Sequence, residues 1–284
     1  MRGLLAAELL KTRKRWLPYI LLLPVLAALA FQTFVGYFAI WRHEGDIEGL
    51  HVSVLPWSLP SLLDLAQYLA TIVLAILAAS TVATEHGWGT VRQALIRGQT
   101  RSQYLTTKLL GLAVVGGIGF LLVLAFGVLL SAILTAVEDR GSPDSLSAFE
   151  GLLMIVRAAY GVLPYMLLAF CLAVVGRSTT LGVAGVLLYV IGEAIVLSTL
   201  GGIGGATADA RAYFIGHNVV ALSVANQVGQ VDHFSLAPRE RPLASELPDP
   251  AIAALVLALY CGVFLAIAYW TFQRRDLGVE SGGG

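Results

Sequence analysis

Six stretches of about 20 or more residues cross this sequence with almost no ionisable side chain, and that pattern constrains the fold more than any other feature. They lie between Arg15 and Arg42, Asp64 and Glu85, Lys108 and Glu138, Arg157 and Arg177, Ser178 and Ala208, and Asp249 and Arg274. Only Glu193 interrupts the fifth. A bilayer core about 30 Å thick is crossed by about 20 apolar residues as an α-helix. Lipid offers no partner to open backbone groups, so each stretch must be helical. Composition agrees, with 13% charged residues, where a soluble domain carries about 25%. The expected fold is an all-α membrane protein, one transmembrane domain over 1–284. Its spans fall at about 17–41, 62–84, 104–137, 152–176, 180–200 and 250–272.

The first stretch has a basic start and an Ala28-Leu29-Ala30 triplet, as a signal peptide would. Its apolar part continues to Trp41, well beyond a signal h-region of about 7–15 residues. It reads as a retained span. With the N-terminus inside, the cytoplasmic segments hold Arg2, Lys11, Arg13, Lys14, Arg15, Arg92, Arg97, Arg101, Lys108, Arg177, Arg274 and Arg275. That is twelve of the eighteen basic residues, so the positive-inside rule places both termini in the cytoplasm of a bacterial inner-membrane protein. Residues 1–15 are then expected as a cytoplasmic segment and 273–284 as a cytoplasmic tail. A net charge of zero argues against a nucleic-acid partner. Cys171 and Cys261 both stand inside apolar runs, where cysteine behaves as a small buried hydrophobe.

The connections are short except for 201–249. There the glycine run Gly201 to Gly205 is expected to end the fifth helix, and the segment from Ala210 through Asn218 a short interfacial helix. His217 lacks companions at metal-ligand spacing and reads as an ordinary surface or loop histidine. Ser147-Ala148-Phe149-Glu150 has the spacing of a capping box, so the fourth helix should begin there.

The link between the second and third spans, Thr84 to Arg101, carries more instruction than a passive connector needs. Thr90 is a candidate N-cap and Gly98 a candidate C′ glycine. Between them Val91, Ala94 and Leu95 fall at i, i+3 and i+4, forming one apolar face while Arg92 and Arg97 point elsewhere. Thr100-Arg101-Ser102-Gln103 then starts another helix as a second capping box. A seven-residue helix is marginal alone in water, so the membrane surface or a partner protein should hold it.

Glu85, Gly89-Thr90, Arg92, Leu95, Gly98, Arg101 and Lys108 together resemble the first cytoplasmic loop of ABC-2 type permeases, the membrane subunits of ATP-binding-cassette exporters. The opening Ala6-Ala7-Glu8-Leu9-Leu10-Lys11-Thr12-Arg13-Lys14-Arg15 is similar to that family's interfacial start, and Phe272-Gln273-Arg274-Arg275-Asp276-Leu277 resembles its exit from the sixth span. His86-Gly87-Trp88 stands where the family often has basic residues. The resemblance implies that the helix between spans two and three is a coupling helix. Its ATPase-coupling residues would be Glu85, Gly89, Thr90, Val91, Arg92, Leu95, Arg97, Gly98 and Arg101. It also implies two ATPase subunits and a second permease chain, identical or related, as partners.

A pump needs an engine, and phosphate-cradling loops require a lysine preceded by glycine. The three lysines, Lys11, Lys14 and Lys108, follow Leu10, Arg13 and Thr107. ATP and Mg are therefore expected in a partner subunit, with no cofactor in this chain. Glycines 116 and 117 read as close-packing or helix-breaking sites.

Glu193 is the one charged side chain that interrupts an apolar stretch, away from the span ends. Its carboxylate costs about 2.5–3.5 kcal/mol at mid-bilayer and should face protein or water. It is either part of a substrate path or a hydrogen-bonded helix contact, for example to Tyr189 four residues earlier. Asp64, Gln67 and Thr71 make a polar stripe at i, i+3 and i+7 that could line a vestibule or serve helix packing. Arg157 can snorkel to the headgroups. The expected function is export of an amphipathic substrate (drug, peptide or lipid-like) powered by a separate ATPase, the chain itself not being an enzyme. An ion-gradient-driven transporter would want more buried carboxylates. A non-transporting immunity or assembly protein could share the architecture.

Overall fold

The computed structural model describes residues 2–42, 54–56, 58–87, 90–138, 147–203, 210–226 and 247–274. They form nine α-helices and one 3-10 turn, with no strand among the described residues. The helices are α1 (Arg2–Lys14), α2 (Leu17–Arg42), α3 (Ser58–Gly87), α4 (Thr90–Ile96), α5 (Arg101–Glu138), α6 (Ala148–Gly176), α7 (Thr179–Ile203), α8 (Ile215–Val224) and α9 (Pro250–Arg274). Six of them, α2, α3, α5, α6, α7 and α9, are long and apolar enough to cross a membrane.

Each crosses at the place its apolar stretch predicts, but most run further than expected. The reason is local: capping residues lie outside the apolar stretches. Ser147 accepts from the Glu150 N–H while the Glu150 carboxylate accepts from the Ser147 N–H, the expected capping box of α6. Likewise the Thr100 hydroxyl accepts from the Gln103 N–H and the side-chain Oε1 of Gln103 accepts from the Thr100 N–H, which starts α5. At 38 residues, α5 is about 57 Å long at 1.5 Å per residue, far longer than a bilayer core. Its first turns therefore belong to the end of the bundle that carries α1, and they matter below. The helix α7 ends at Ile203, inside the glycine run Gly201 to Gly205 that was expected to end it. The 43–53, 139–146 and 227–246 connections, most of the tail, Trp88 and Gly89 lie outside the described residues.

The most enclosed span is α6, whereas α7 and α9 are buried along only a small part of their length. It packs on α3, α7 and α9. Its buried face runs from Ala158 through Val174 and includes Tyr165, Met166 and Phe170. A second cluster joins Val25 and Leu29 of α2 to Leu63 and Ala66 of α3 and to Phe120 and Leu124 of α5. Outward faces carry large apolar side chains, such as Leu188, Ile191 and Ile195 on α7 and Leu255 and Leu259 on α9. A helix apolar all round is what a lipid-facing span requires.

Close approach is set by small residues. A Cβ at Gly182 of α7 would lie 2.6 Å from the Cβ of Ala79 on α3, and 3.0 Å from both the Ala169 carbonyl oxygen and the Ala173 Cβ on α6. These neighbours are backbone or methyl groups and have nowhere to go. Gly182→Ala is expected to destabilise the bundle by about 1–3 kcal/mol through overpacking, read as a lower midpoint of thermal unfolding in detergent. Gly116 plays the expected close-packing part against Leu74, whereas Gly117 has nothing within 4 Å of a built Cβ.

Candidate functional site

The short helix α4 forms where its sequence asks for it, and its end is built as expected. Gly98 adopts a left-handed φ of 88°. Its N–H donates to the Leu95 carbonyl at 3.0 Å, and the Gln99 N–H donates to the Ala94 carbonyl at 3.3 Å. That pair of bonds is the Schellman stop. The expected N-cap role of Thr90 is not seen. Thr90 is the first helical residue and its hydroxyl donates back to the Glu85 carbonyl at 3.2 Å, which satisfies the end of α3 instead.

The chain's own core holds one face of α4: Val91 is buried in the main core cluster and Ala94 and Leu95 pack against it. The face left open is Arg92, Gln93, Ile96 and Arg97. Ile96 is 75% exposed, an apolar tip between two cations. Of the residues expected to meet a partner, then, Arg92 and Arg97 face out, whereas Val91 and Glu85 are buried inside the chain.

Glu85 belongs to an ionic knot beneath α4. Lys108 of α5 is 3% exposed and donates to the Glu85 carboxylate and, at 2.6 Å, to Glu8 of α1. The Tyr104 hydroxyl donates to Glu85 at 2.8 Å, and Lys11 reaches Glu85 at 3.3 Å from a more exposed position. Two carboxylates therefore share one buried cation, with Lys11 supplying the second positive charge. The close fit extends to α1 and α5, since a Cβ at Gly111 would meet Glu8 Cγ at 3.0 Å. The result is that α1, the end of α3 and the start of α5 are fastened at one point, and α4 stands on it.

Arg101 is a staple rather than an outward contact. Its guanidinium donates to the Phe272 and Gln273 carbonyls at the end of α9. Tyr104 stacks on Phe272 with ring centroids 5.6 Å apart, and the Thr106 and Tyr269 hydroxyls are bonded at 2.7 Å. The base of α4 is thus tied to four helices of the bundle.

A second polar cluster lies in the other half of the molecule. Glu193, near the middle of α7, is 6% exposed and accepts from the Tyr165 hydroxyl (3.2 Å), the Tyr189 hydroxyl (3.4 Å) and the Gly216 N–H (2.7 Å). The expected bond to Tyr189 is there, with two stronger-placed donors beside it. The helix expected at the interface starts at Ile215, after a 3-10 turn over Arg211–Tyr213, and packs against α9, α6 and α7. It can do so because Ile215, Ala221 and Leu222 are buried against the bundle and Glu193 supplies its first turn with an acceptor. His217 on this helix is 5% exposed, a buried residue and not the surface histidine expected. Arg157 does not simply snorkel: it donates to the Ala225 carbonyl at 3.0 Å and approaches Asn226 Oδ1 at 3.4 Å.

The Asp64, Gln67 and Thr71 stripe is divided. Gln67 is buried, crowds Gly161 of α6 and accepts from the Ser223 hydroxyl at 3.5 Å. Thr71 donates to the Gln67 carbonyl, and both it and Asp64 are half-buried. No group of three or more potential metal ligands occurs among the described residues.

Glu8 and Lys108 were not singled out together in the sequence, although a signal was available. Tyr104 and Lys108 are at i, i+4 on one face of α5, and Glu8, Lys11 and Thr12 share a face of α1. Such faces announce a polar contact without naming the partner.

Six long apolar helices, of which α6 is the most enclosed, define a multi-pass α-helical membrane protein. Residues 51–278 match the family described as "Protein of unknown function (DUF2705)", and the chain belongs to that family. The matched region contains α3 to α9, and so Glu85, Lys108, Glu193 and Arg157. A search of the curated proteins returns no match.

Proposed function

We propose that this chain is the permease subunit of an ATP-binding-cassette exporter, carrying an amphipathic substrate outward across a bacterial inner membrane. Both termini and α4 are on the cytoplasmic side, as the distribution of Lys and Arg indicates. Energy comes from ATP hydrolysed, with Mg, in a separate subunit that receives α4, and the working assembly holds two permease chains and two ATPase chains.

The observation that carries this reading is the way α4 is mounted. A mechanical coupling element must be stiff at its base and open at its tip. Val91 is buried, Gly98 closes the helix, and the Glu8–Lys108–Glu85 knot joins the base to α1 and α5. The tip offers Arg92, Gln93, Ile96 and Arg97. An apolar tip flanked by cations suits a socket with an apolar floor and an acidic rim.

The test is purification of the tagged chain from its native membrane in mild detergent, followed by a flux assay in vesicles. An ATPase subunit should come with it, and transport should follow ATP. Repeated recovery without an ATPase, or transport that follows an ion gradient alone, would overturn the proposal.

A further inference from the structure

The bend between α1 and α2 stands where a helix outside the hydrophobic core meets the first apolar span. Helix α1 ends at Lys14, and the span begins at Leu17. Among the described residues, none of α1 belongs to either core cluster, and the side chains it buries are those of Glu8 and Thr12. Lys11 is committed to the ionic knot, at 3.8 Å from Glu8 and 3.3 Å from Glu85. Arg13 and Lys14 are exposed and have no ion pair among the described residues. No acidic residue stands in the sequence between Glu8 and Glu44. The two cations therefore await an anion from outside the chain.

The bend is fixed by its own hydrogen bonds. The Tyr19 hydroxyl of α2 donates back to the Arg13 carbonyl at 3.1 Å. The Arg15 N–H donates to the Thr12 carbonyl at 3.2 Å, and the Ile20 N–H to the Trp16 carbonyl at 3.0 Å. A preset backbone lowers the ordering cost of holding a ligand. Just past the cations Trp16 is 79% exposed, and Tyr19, Ile20 and Leu23 are exposed with it. Cations, then amphipathic rings, then aliphatic side chains follow the layering of half a bilayer, from headgroup to hydrocarbon. The end of α9, tied to the same end of the bundle through Arg101 and Tyr104, repeats the pattern. There Arg274 lies 4.7 Å over the exposed ring of Trp270.

We infer that the α1–α2 bend binds an anionic phospholipid, whose phosphate meets Arg13 and Lys14 and whose acyl chains lie along Trp16, Ile20 and Leu23. A guanidinium can grip phosphate oxygens in pairs, while an ammonium supplies a compact charge beside them. An acidic protein would answer the cations but not the aliphatic side chains beneath them, which belong to a span little buried in the bundle. The site requires neither an ATPase partner nor a particular compartment at the α1 end.

The test is native mass spectrometry of the full chain in neutral detergent, titrated with dioleoyl-phosphatidylglycerol and, separately, with dioleoyl-phosphatidylcholine. The parent should bind its first phosphatidylglycerol more tightly than its first phosphatidylcholine. Arg13→Gln combined with Lys14→Gln should weaken phosphatidylglycerol binding about 30-fold, as two cations at about 1 kcal/mol each beside an anionic surface require. Phosphatidylcholine binding should stay as it was. The charge-preserving exchange, Arg13→Lys with Lys14→Arg, should bind as the parent does. So should Arg177→Asn, which removes an exposed cation from the turn between α6 and α7. Equal affinity of the parent for the two lipids would overturn the inference, as would unchanged binding in the Gln pair. The same loss in the exchanged pair or in Arg177→Asn would also contradict it. Glycerol 3-phosphate, a phosphate without chains, should not compete; competition at equal concentration would make this a site for soluble phosphate and refute the lipid.

Discussion

Lys108→Met is expected to destabilise the folded chain by about 3–5 kcal/mol, because it strands two buried carboxylates without their cation. Glu8 and Glu85 are 8% and 3% exposed, so water cannot replace the lost ammonium. Lys11 could compensate in part, but it lies 3.8 Å from Glu8 and 3.3 Å from Glu85 with its side chain about half exposed. The physics has a second half. A buried ion pair replaced entirely by neutral groups of similar size is often no less stable than the original. The combined Glu8→Gln, Glu85→Gln, Lys108→Met variant should therefore recover most of the loss. Thermal unfolding in detergent reads both outcomes. If Lys108→Met unfolded at the parent's temperature, the knot would not be holding α1, α3 and α5 together.

The second large effect concerns the tip of α4. On the permease reading, Arg92→Glu combined with Arg97→Glu should weaken retention of the ATPase subunit by about 30-fold. That corresponds to roughly 2 kcal/mol, the threshold of an interface hot spot, and reversal of two rim charges exceeds simple deletion. Ile96→Asp should act similarly by putting a charge into an apolar socket. None of these variants should change thermal stability, since all three side chains are exposed. Val91→Asp makes the contrast: buried in the core, it should lower stability as well as binding. Affinity by pull-down, set against unfolding temperature, separates the two groups. A charge-reversed tip that bound as well as the parent would remove α4 from the docking surface.

The spans, caps and stops were legible because each is a local matter. An apolar stretch long enough to cross a bilayer, a Ser-x-x-Glu box at Ser147 and a glycine at position 98 each act within a few residues. The same holds for the apolar face of α4, though what it packs against could not be read. That is set by how the flanking turns of α3 and α5 fold back around it, a tertiary matter that the residues of α4 do not state. The ionic knot was illegible for the same reason, as Glu8 and Lys108 are 100 positions apart. Counted as one more cytoplasmic cation, Lys108 helped set the orientation of the spans, while its actual surroundings are the inside of the protein. The packing of α8 against α6, α7 and α9 was not legible, because its own sequence says only that it is short and amphipathic. Glu193 likewise gives no sign in the sequence of which N–H it will meet. Arg157 was read as a headgroup contact on similar grounds, since a lone arginine near a span end has a simple destination in lipid.

A photo-crosslinking amino acid placed at position 96, in cells carrying the chain at its native level, tests the central claim most directly. The account predicts one dominant adduct, with an ATP-binding-cassette ATPase subunit, that disappears when Arg92 and Arg97 are reversed in charge. Crosslinks to lipid alone, or capture by a reagent confined to the outside of the cell, would contradict it.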